Sequence, residues 1–157
     1  MEIERKYLIN KEALPFSPES FPCRHIEQGY LCTAPVVRIR QDNDDFILTY
    51  KSKGLMVREE YNLPLTAESY QHLKNKIDGR LIIKDRYVIP LTDSNKELFI
   101  ELDFFHGELE GLILAEVEFP DTETASHFTP PSWFGEDVTF SSKYHNCLLY
   151  TSPSPRD

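Results

Sequence analysis

Charged residues in this chain recur at the spacing i, i+2, and they are sorted by sign. Glu2, Glu4 and Lys6 open the chain; Arg38 with Arg40, Lys51 with Lys53, and Lys84 with Arg86 are purely basic sets. Glu101 with Asp103 and Glu116 with Glu118 are purely acidic, whereas Arg58, Glu60 and Asn62 form a mixed set. Successive side chains of a strand point to opposite faces, so the members of each set share a face. A merely solvated face intersperses charges with Thr, Ser, Asn and Gln, because like charges at neighbouring positions destabilise one another. The sorting needs a partner. If the strands turn these faces inward, unpaired charges in low dielectric are costly, and the enclosed ligand is expected to be highly anionic and to carry metal. Lysine and arginine suit phosphate oxygens, arginine in a two-pronged fashion. Carboxylates suit a hard divalent cation that completes its shell with phosphate oxygens.

The elements that must position these faces are mostly strands. Residues 2–9, 25–31, 36–40, 46–53, 56–63, 81–89, 98–103 and 112–119 alternate with period two, and the polar turn Asp42-Asn43-Asp44-Asp45 makes a hairpin of the third and fourth. The period changes after Thr66, a suitable N-cap, where Tyr70, Leu73 and Ile77 space an amphipathic helix ending near Asp78-Gly79. A second, short helix is predicted from Thr122 to Phe128, and Trp133 to Thr139 reads as loop with Trp133 and Phe134 plugging the core. The expected fold is mostly antiparallel β (α+β). About eight strands suit a closed barrel or tunnel with a charged lumen and a few flanking helices better than a sandwich.

A chain of 157 residues is long enough for one domain with a real core. Its 17 basic residues against 26 acids give a net charge of −9, which argues against a nucleic-acid binder. No apolar run approaches the length that crosses a bilayer, and the first residues lack a secretory pattern, so no membrane association and a cytoplasmic location are expected. Cys23, Cys32 and Cys147 are too few and irregular for a disulfide framework or a zinc knuckle, and are expected to be reduced thiols. His25, His72, His106, His127 and His145 share no metal-ligand spacing and are expected to be structural or superficial. Residues 147–157 read as the translation of a sequencing adapter. The domain is therefore expected to occupy 1–146, with the natural carboxyl end lying outside this sequence.

The ordered motifs resemble a known family. Glu2-x-Glu4-x-Lys6, Gln28-Gly29-Tyr30-Leu31, Arg38-x-Arg40, Thr49-x-Lys51, Arg58-Glu59-Glu60-Tyr61 and Lys84-Asp85-Arg86-Tyr87 are similar to those of the CYTH superfamily, the triphosphate tunnel metalloenzymes. So are Glu101-Leu102-Asp103, Glu116-Val117-Glu118-Phe119, Trp133-Phe134-Gly135 and Lys143-Tyr144-His145-Asn146, and the set is most similar to the short bacterial members. The resemblance implies an eight-stranded tunnel in which Lys6, Arg38, Arg40, Lys51, Lys84 and Arg86 bind phosphate, with Lys53 and Arg58 as weaker candidates. It implies that Glu2, Glu4, Glu60, Asp103, Glu116 and Glu118 hold Mg²⁺ or Mn²⁺, and it is compatible with a homodimer. Ser141 and Ser142 depart from the acidic residue often found before the last motif. The implied activity is hydrolysis of inorganic tripolyphosphate, with thiamine triphosphatase or a class IV type adenylate cyclase as alternatives, and a non-catalytic polyphosphate-binding module as the alternative of another class. Tyr30 and Lys84 are the expected proton-handling pair, since a lysine crowded by Arg38, Arg40 and Arg86 should lose its proton more readily.

Overall fold

Alternation of charged and apolar residues does become strand in the computed structural model, which describes residues 2–54, 56–93 and 96–144. Residues 145–157, which include the proposed adapter-derived tail, lie outside the described residues. The strands are β1 (Glu2–Ile9), β2 (Cys23–Thr33), β3 (Val36–Asp42), β4 (Asp45–Lys51), β5 (Val57–Arg58), β6 (Glu60–Pro64), β7 (Asp78–Asp93), β8 (Lys96–Phe105), β9 (Ile113–Glu118) and β10 (Phe134–Asp137). All pairings are antiparallel, in the order β10-β1-β9-β8-β7-β2-β3-β4-β6.

The closed eight-stranded barrel expected from the sequence is not what forms. Among the described residues there are ten strands, and the path from β10 to β6 is open at its ends. Two residues of β5 pair with β1, Glu2 opposite Arg58 and Ile3 opposite Val57, and this short contact is what draws the β4–β6 side toward β1. Glu59, between β5 and β6, pairs with neither strand in that ladder; its carbonyl accepts from the Ser52 amide at 3.0 Å and its amide donates to Ser52 Oγ at 2.9 Å. The two extra strands arise at this break and at β10, which reads from sequence as loop but pairs along β1.

Apolar residues on the outer face of β1, β8 and β9, among them Ile3, Tyr7, Ile100, Leu102, Ala115 and Val117, are buried. Ala125, of helix α2 (Thr122–Ser126), and Phe128 cover them, with Trp133 and Phe134 packed alongside at a ring separation of 4.7 Å. The core-plug reading of the Trp-Phe pair holds. Helix α1 (Ala67–Lys74) starts at the expected Thr66, whose hydroxyl accepts from the Ser69 amide in a capping box, and stops early because β7 begins at Asp78. β7 also outruns its expected end at Pro90. Its partner β2 starts opposite Tyr87, and past the bond from the Val88 amide to the Pro22 carbonyl at 3.2 Å that edge of β7 lies beyond the ladder, so a proline at 90 costs no ladder bond.

Along the inner face each strand changes character. Charged residues give way to Leu8 on β1, Tyr30 on β2, Val36 on β3, Ile82 on β7, Phe105 on β8 and Leu114 on β9, which meet in a second apolar cluster. That cluster forms a floor. The lumen is thus charged toward one end and closed by packed side chains at the other.

A charged lumen as candidate active site

Register brings the sorted charges together. Arg38 and Arg40 of β3, Lys51 of β4, Arg86 of β7, Glu2 and Glu4 of β1, Glu60 of β6, and Glu116 and Glu118 of β9 all line one cavity of about 430 Å³. Arg24, Asp42, Thr49, Asn62, Glu101 and Ile47 complete the lining. Basic residues occupy the β2–β3–β7 wall, and acids the β1–β9 wall opposite.

On the basic wall, Arg86 grips Asp103 with two parallel bonds, Nε to Oδ1 at 2.7 Å and one terminal nitrogen to Oδ2 at 2.8 Å, and donates to Glu101 at 3.0 Å. Lys84 Nζ lies 2.8 Å from Asp103 Oδ2 as an ion pair, but not in the direction of a hydrogen bond, and the same nitrogen stands 5.3 Å from the centre of the Phe105 ring in the floor. Burial, reinforced by Arg86 and Arg40 and opposed by Asp103, lowers the Lys84 pKa to about 8. Arg40 donates to Gln28 Oε1 at 2.8 Å, and Arg38 reaches Thr49 at 3.3 Å.

On the acidic wall, Lys6 lies 3.5 Å from Glu116. Burial pushes the Glu116 carboxyl up, but Lys6, Arg86, Lys84 and Lys51 outweigh it and hold the group well below the carboxylate range. Glu4 behaves oppositely. Burial, then Glu116 and Glu2, raise its pKa to about 8, and it sits directly across the β1–β9 ladder from Glu118, itself raised by burial and by Glu2. Glu2 accepts from Lys51 at 3.0 Å and from Arg58 at 3.1 Å, and Arg58 also reaches Glu4 at 3.5 Å.

A family model of the CYTH domain matches residues 1–129. The chain belongs to the CYTH family. An inorganic triphosphatase of Nitrosomonas europaea is 38% identical to this CYTH protein over 154 residues, which span 96% of this chain and 97% of that one. A second inorganic triphosphatase, from Acetivibrio thermocellus, is 33% identical over 97% of this chain and 94% of its own. The crystal structure of an inorganic triphosphatase superposes with a TM-score of 0.69 at 33% identity, covering 98% of this chain and 97% of the other.

Not every residue singled out from the sequence reaches the CYTH cavity. Lys6, Lys84 and Asp103 are buried beneath its lining, Arg58 is buried against Glu2 and Glu4, and Tyr30 packs in the floor at 2% exposure. Lys53 lies beyond the end of β4, exposed. Conversely, Arg24, Gln28, Asp42 and Glu101 carry the lumen's polar network without having been assigned a part. Arg24 reaches Asp42 at 3.4 Å and Glu101 at 3.5 Å. The signal for it is the alternation Arg24, Ile26, Gln28, Tyr30, which continues the inner face one residue before the expected start of β2.

The acidic wall fits a divalent ion. Its donors are all carboxylate oxygens, two of them directly opposed across a ladder, and the burial and neighbouring acids that raise the Glu4 pKa to about 8 are a cost that a bound cation would relieve. No histidine or cysteine lines the cavity among the described residues, so the donor set is that of a hard ion of the magnesium and manganese class.

Proposed function

We propose that this chain is a divalent-metal-dependent triphosphatase acting on inorganic tripolyphosphate within the lumen. One observation carries the reading. Arg24 Nε and Arg38 Nε are buried nitrogen donors without a hydrogen-bond acceptor, and both side chains line the cavity on its basic wall. Buried donors left unmade cost about 1–3 kcal/mol each, more when charged. A ligand presenting several anionic oxygens along its length, as a triphosphate does, would remove that cost at both. The names of the full-length relatives support the same substrate. Ile47 is the one apolar lining residue and no aromatic ring is among the described lining residues, so nothing there selects a nucleobase.

In this reading Arg38, Arg40, Lys51 and Arg86 bind and orient the phosphate chain, with Arg24 at its outer end. Asp103 fixes the Arg86 plane and holds Lys84 beneath it. Glu4, Glu116 and Glu118, with Glu2 and Glu60 beside them, would hold the ion, which supplies a polarised phosphoryl oxygen and an acidified water when bound. The charge that develops on the leaving phosphate is met by preorganised guanidinium groups that need no reorientation. Lys84 is the expected proton handler that burial adjusts for the task, since its pKa is lowered to about 8.

The deciding experiment is phosphate release from tripolyphosphate, thiamine triphosphate and ATP in parallel, with Mg²⁺, with Mn²⁺ and with chelator. Metal-dependent cleavage that favours tripolyphosphate is the expected result. Cyclic AMP and pyrophosphate from ATP without phosphate release would replace the reading by cyclase, and silence on both would leave a binding module. A pH dependence follows from Lys84. Its charge is present below about 8 and lost above, and a bound anion favours the charged form. Tripolyphosphate affinity in chelator should therefore fall as pH rises through about 8, with proton uptake on binding near that pH. Calorimetry in buffers of different ionisation enthalpy reads both, and Lys84→Met should flatten the profile.

A further inference from the structure

The outer face of the same strands carries a second cluster that the lumen chemistry does not use. Cys23 and His25 of β2 flank Arg24 and point outward where Arg24 points inward, and the register sets His25 opposite Asp85 of β7. The Cys23 sulfur, a ring nitrogen of His25 and a carboxylate oxygen of Asp85 all lie within 4.8 Å of one another. His25 Nδ1 contacts Asp85 Oδ1, and His106, just past the end of β8, places Nε2 2.8 Å from Asp85 Oδ2. Backbone fixes this last residue too, since the His106 amide donates to the Ile83 carbonyl at 2.9 Å. Sequence spacing could not disclose the group, because β2, β7 and the turn after β8 all contribute to it.

We infer that Cys23, His25 and Asp85 form a binding site for a borderline-soft divalent ion of the zinc class, with His106 positioning the Asp85 carboxylate. Zinc takes thiolate sulfur at about 2.3 Å and imidazole nitrogen or carboxylate oxygen at about 2.0–2.2 Å. Ligand atoms around such an ion are therefore close to one another, as these three are. The ion takes the place of the proton shared between His25 and Asp85, the Cys23 thiol proton passes to solvent, and water fills the outward position. Ligating carboxylates are themselves hydrogen-bonded from behind, as Asp85 is by His106. The donor set contrasts with the lumen. Sulfur and nitrogen select a transition ion, whereas the oxygen-only acidic wall suits a hard one, so two ions sort to two sites by chemistry. The exterior ion ties β2 to β7 at the positions whose inward neighbours are Arg24, Lys84 and Arg86, and so braces the basic wall from outside.

Cobalt(II) is the probe, added to the full chain in excess Mg²⁺ so that lumen carboxylates are already engaged. The expected result is a thiolate-to-cobalt charge-transfer band with tetrahedral-type visible absorption, titrating one ion per chain and abolished by equimolar Zn²⁺. Cys23→Ser should remove the band, and His25→Ala should weaken cobalt binding at least about tenfold. His106→Ala should keep the band but weaken binding by about 10–100-fold, the loss expected of a residue that only orients a ligand. Cys23 and His25 are exposed, so these changes leave the core intact. Absence of the band in the unmodified chain, or its persistence in Cys23→Ser, overturns the site. Phosphate release from tripolyphosphate with Mg²⁺ should be unchanged in Cys23→Ser, which keeps this test separate from that of the triphosphatase reading.

Discussion

Glu116→Gln should lower metal-dependent turnover of tripolyphosphate by at least about 100-fold while changing its affinity in chelator by less than about threefold. The carboxylate is buried, ionised, and placed between Lys6 at 3.5 Å and the acids of β1. Glutamine keeps its shape and one acceptor but removes the charge that an ion would need. The basic wall is untouched, because Arg38, Arg40 and Arg86 stand on other strands. Arg40→Ala should do the reverse, raising Kd, since its guanidinium lines the cavity and is oriented by Gln28 at 2.8 Å. Single-turnover rates and calorimetric Kd values for the two variants separate the roles. Equal loss of binding in both would undo the division of the lumen into a metal wall and a phosphate wall.

The largest effect on stability is expected from Asp103→Ala. Asp103 is 1% exposed and neutralises two cations at once, Arg86 through paired bonds and Lys84 at 2.8 Å. Burial alone would raise its pKa, but Arg86 and Lys84 lower it, so the group is a carboxylate and its loss leaves two buried positive charges. Breaking a buried pair by removing one partner costs about 3–5 kcal/mol. At roughly 2–4 °C per kcal/mol for a chain of this size, the melting temperature should fall by about 10 °C. An anion supplies what the variant lacks. Tripolyphosphate should therefore raise the variant's melting temperature by more than it raises that of the unmodified protein, a difference that scanning fluorimetry detects. Destabilisation that tripolyphosphate does not relieve would show that Lys84 and Arg86 do not face the anion.

The sequence makes the inner faces legible wherever charges repeat at i, i+2, as Arg38-x-Arg40 and Lys84-x-Arg86 do, because period two needs no knowledge of partners. It does not show where along a strand that face becomes apolar. Tyr30 shares the face of Gln28 and Arg24, yet lies among Ile82, Phe105 and Leu114 at the floor, and only the register of six strands reveals that depth. Asp103 and Glu101 illustrate the same limit: both point inward, but Asp103 lies under the basic wall and Glu101 lines the cavity. The strand count erred where single residues decide, at Glu59, which interrupts β5–β6, and at Phe134–Asp137, whose short run pairs only because β1 offers a free edge.

A full ladder would give this lumen one circumference. Instead, the line between β1 and the β4–β6 hairpin is spanned by two residue pairs of β5, the Glu4 amide on the Met56 carbonyl at 3.1 Å, and the salt bridges of Glu2 with Lys51 and Arg58. Lys51 is also a lining residue, so on the proposed reading an anion in the lumen would compete with Glu2 for it. The seam therefore rests on Arg58, two residue pairs and one backbone bond wherever Lys51 is engaged by something other than Glu2.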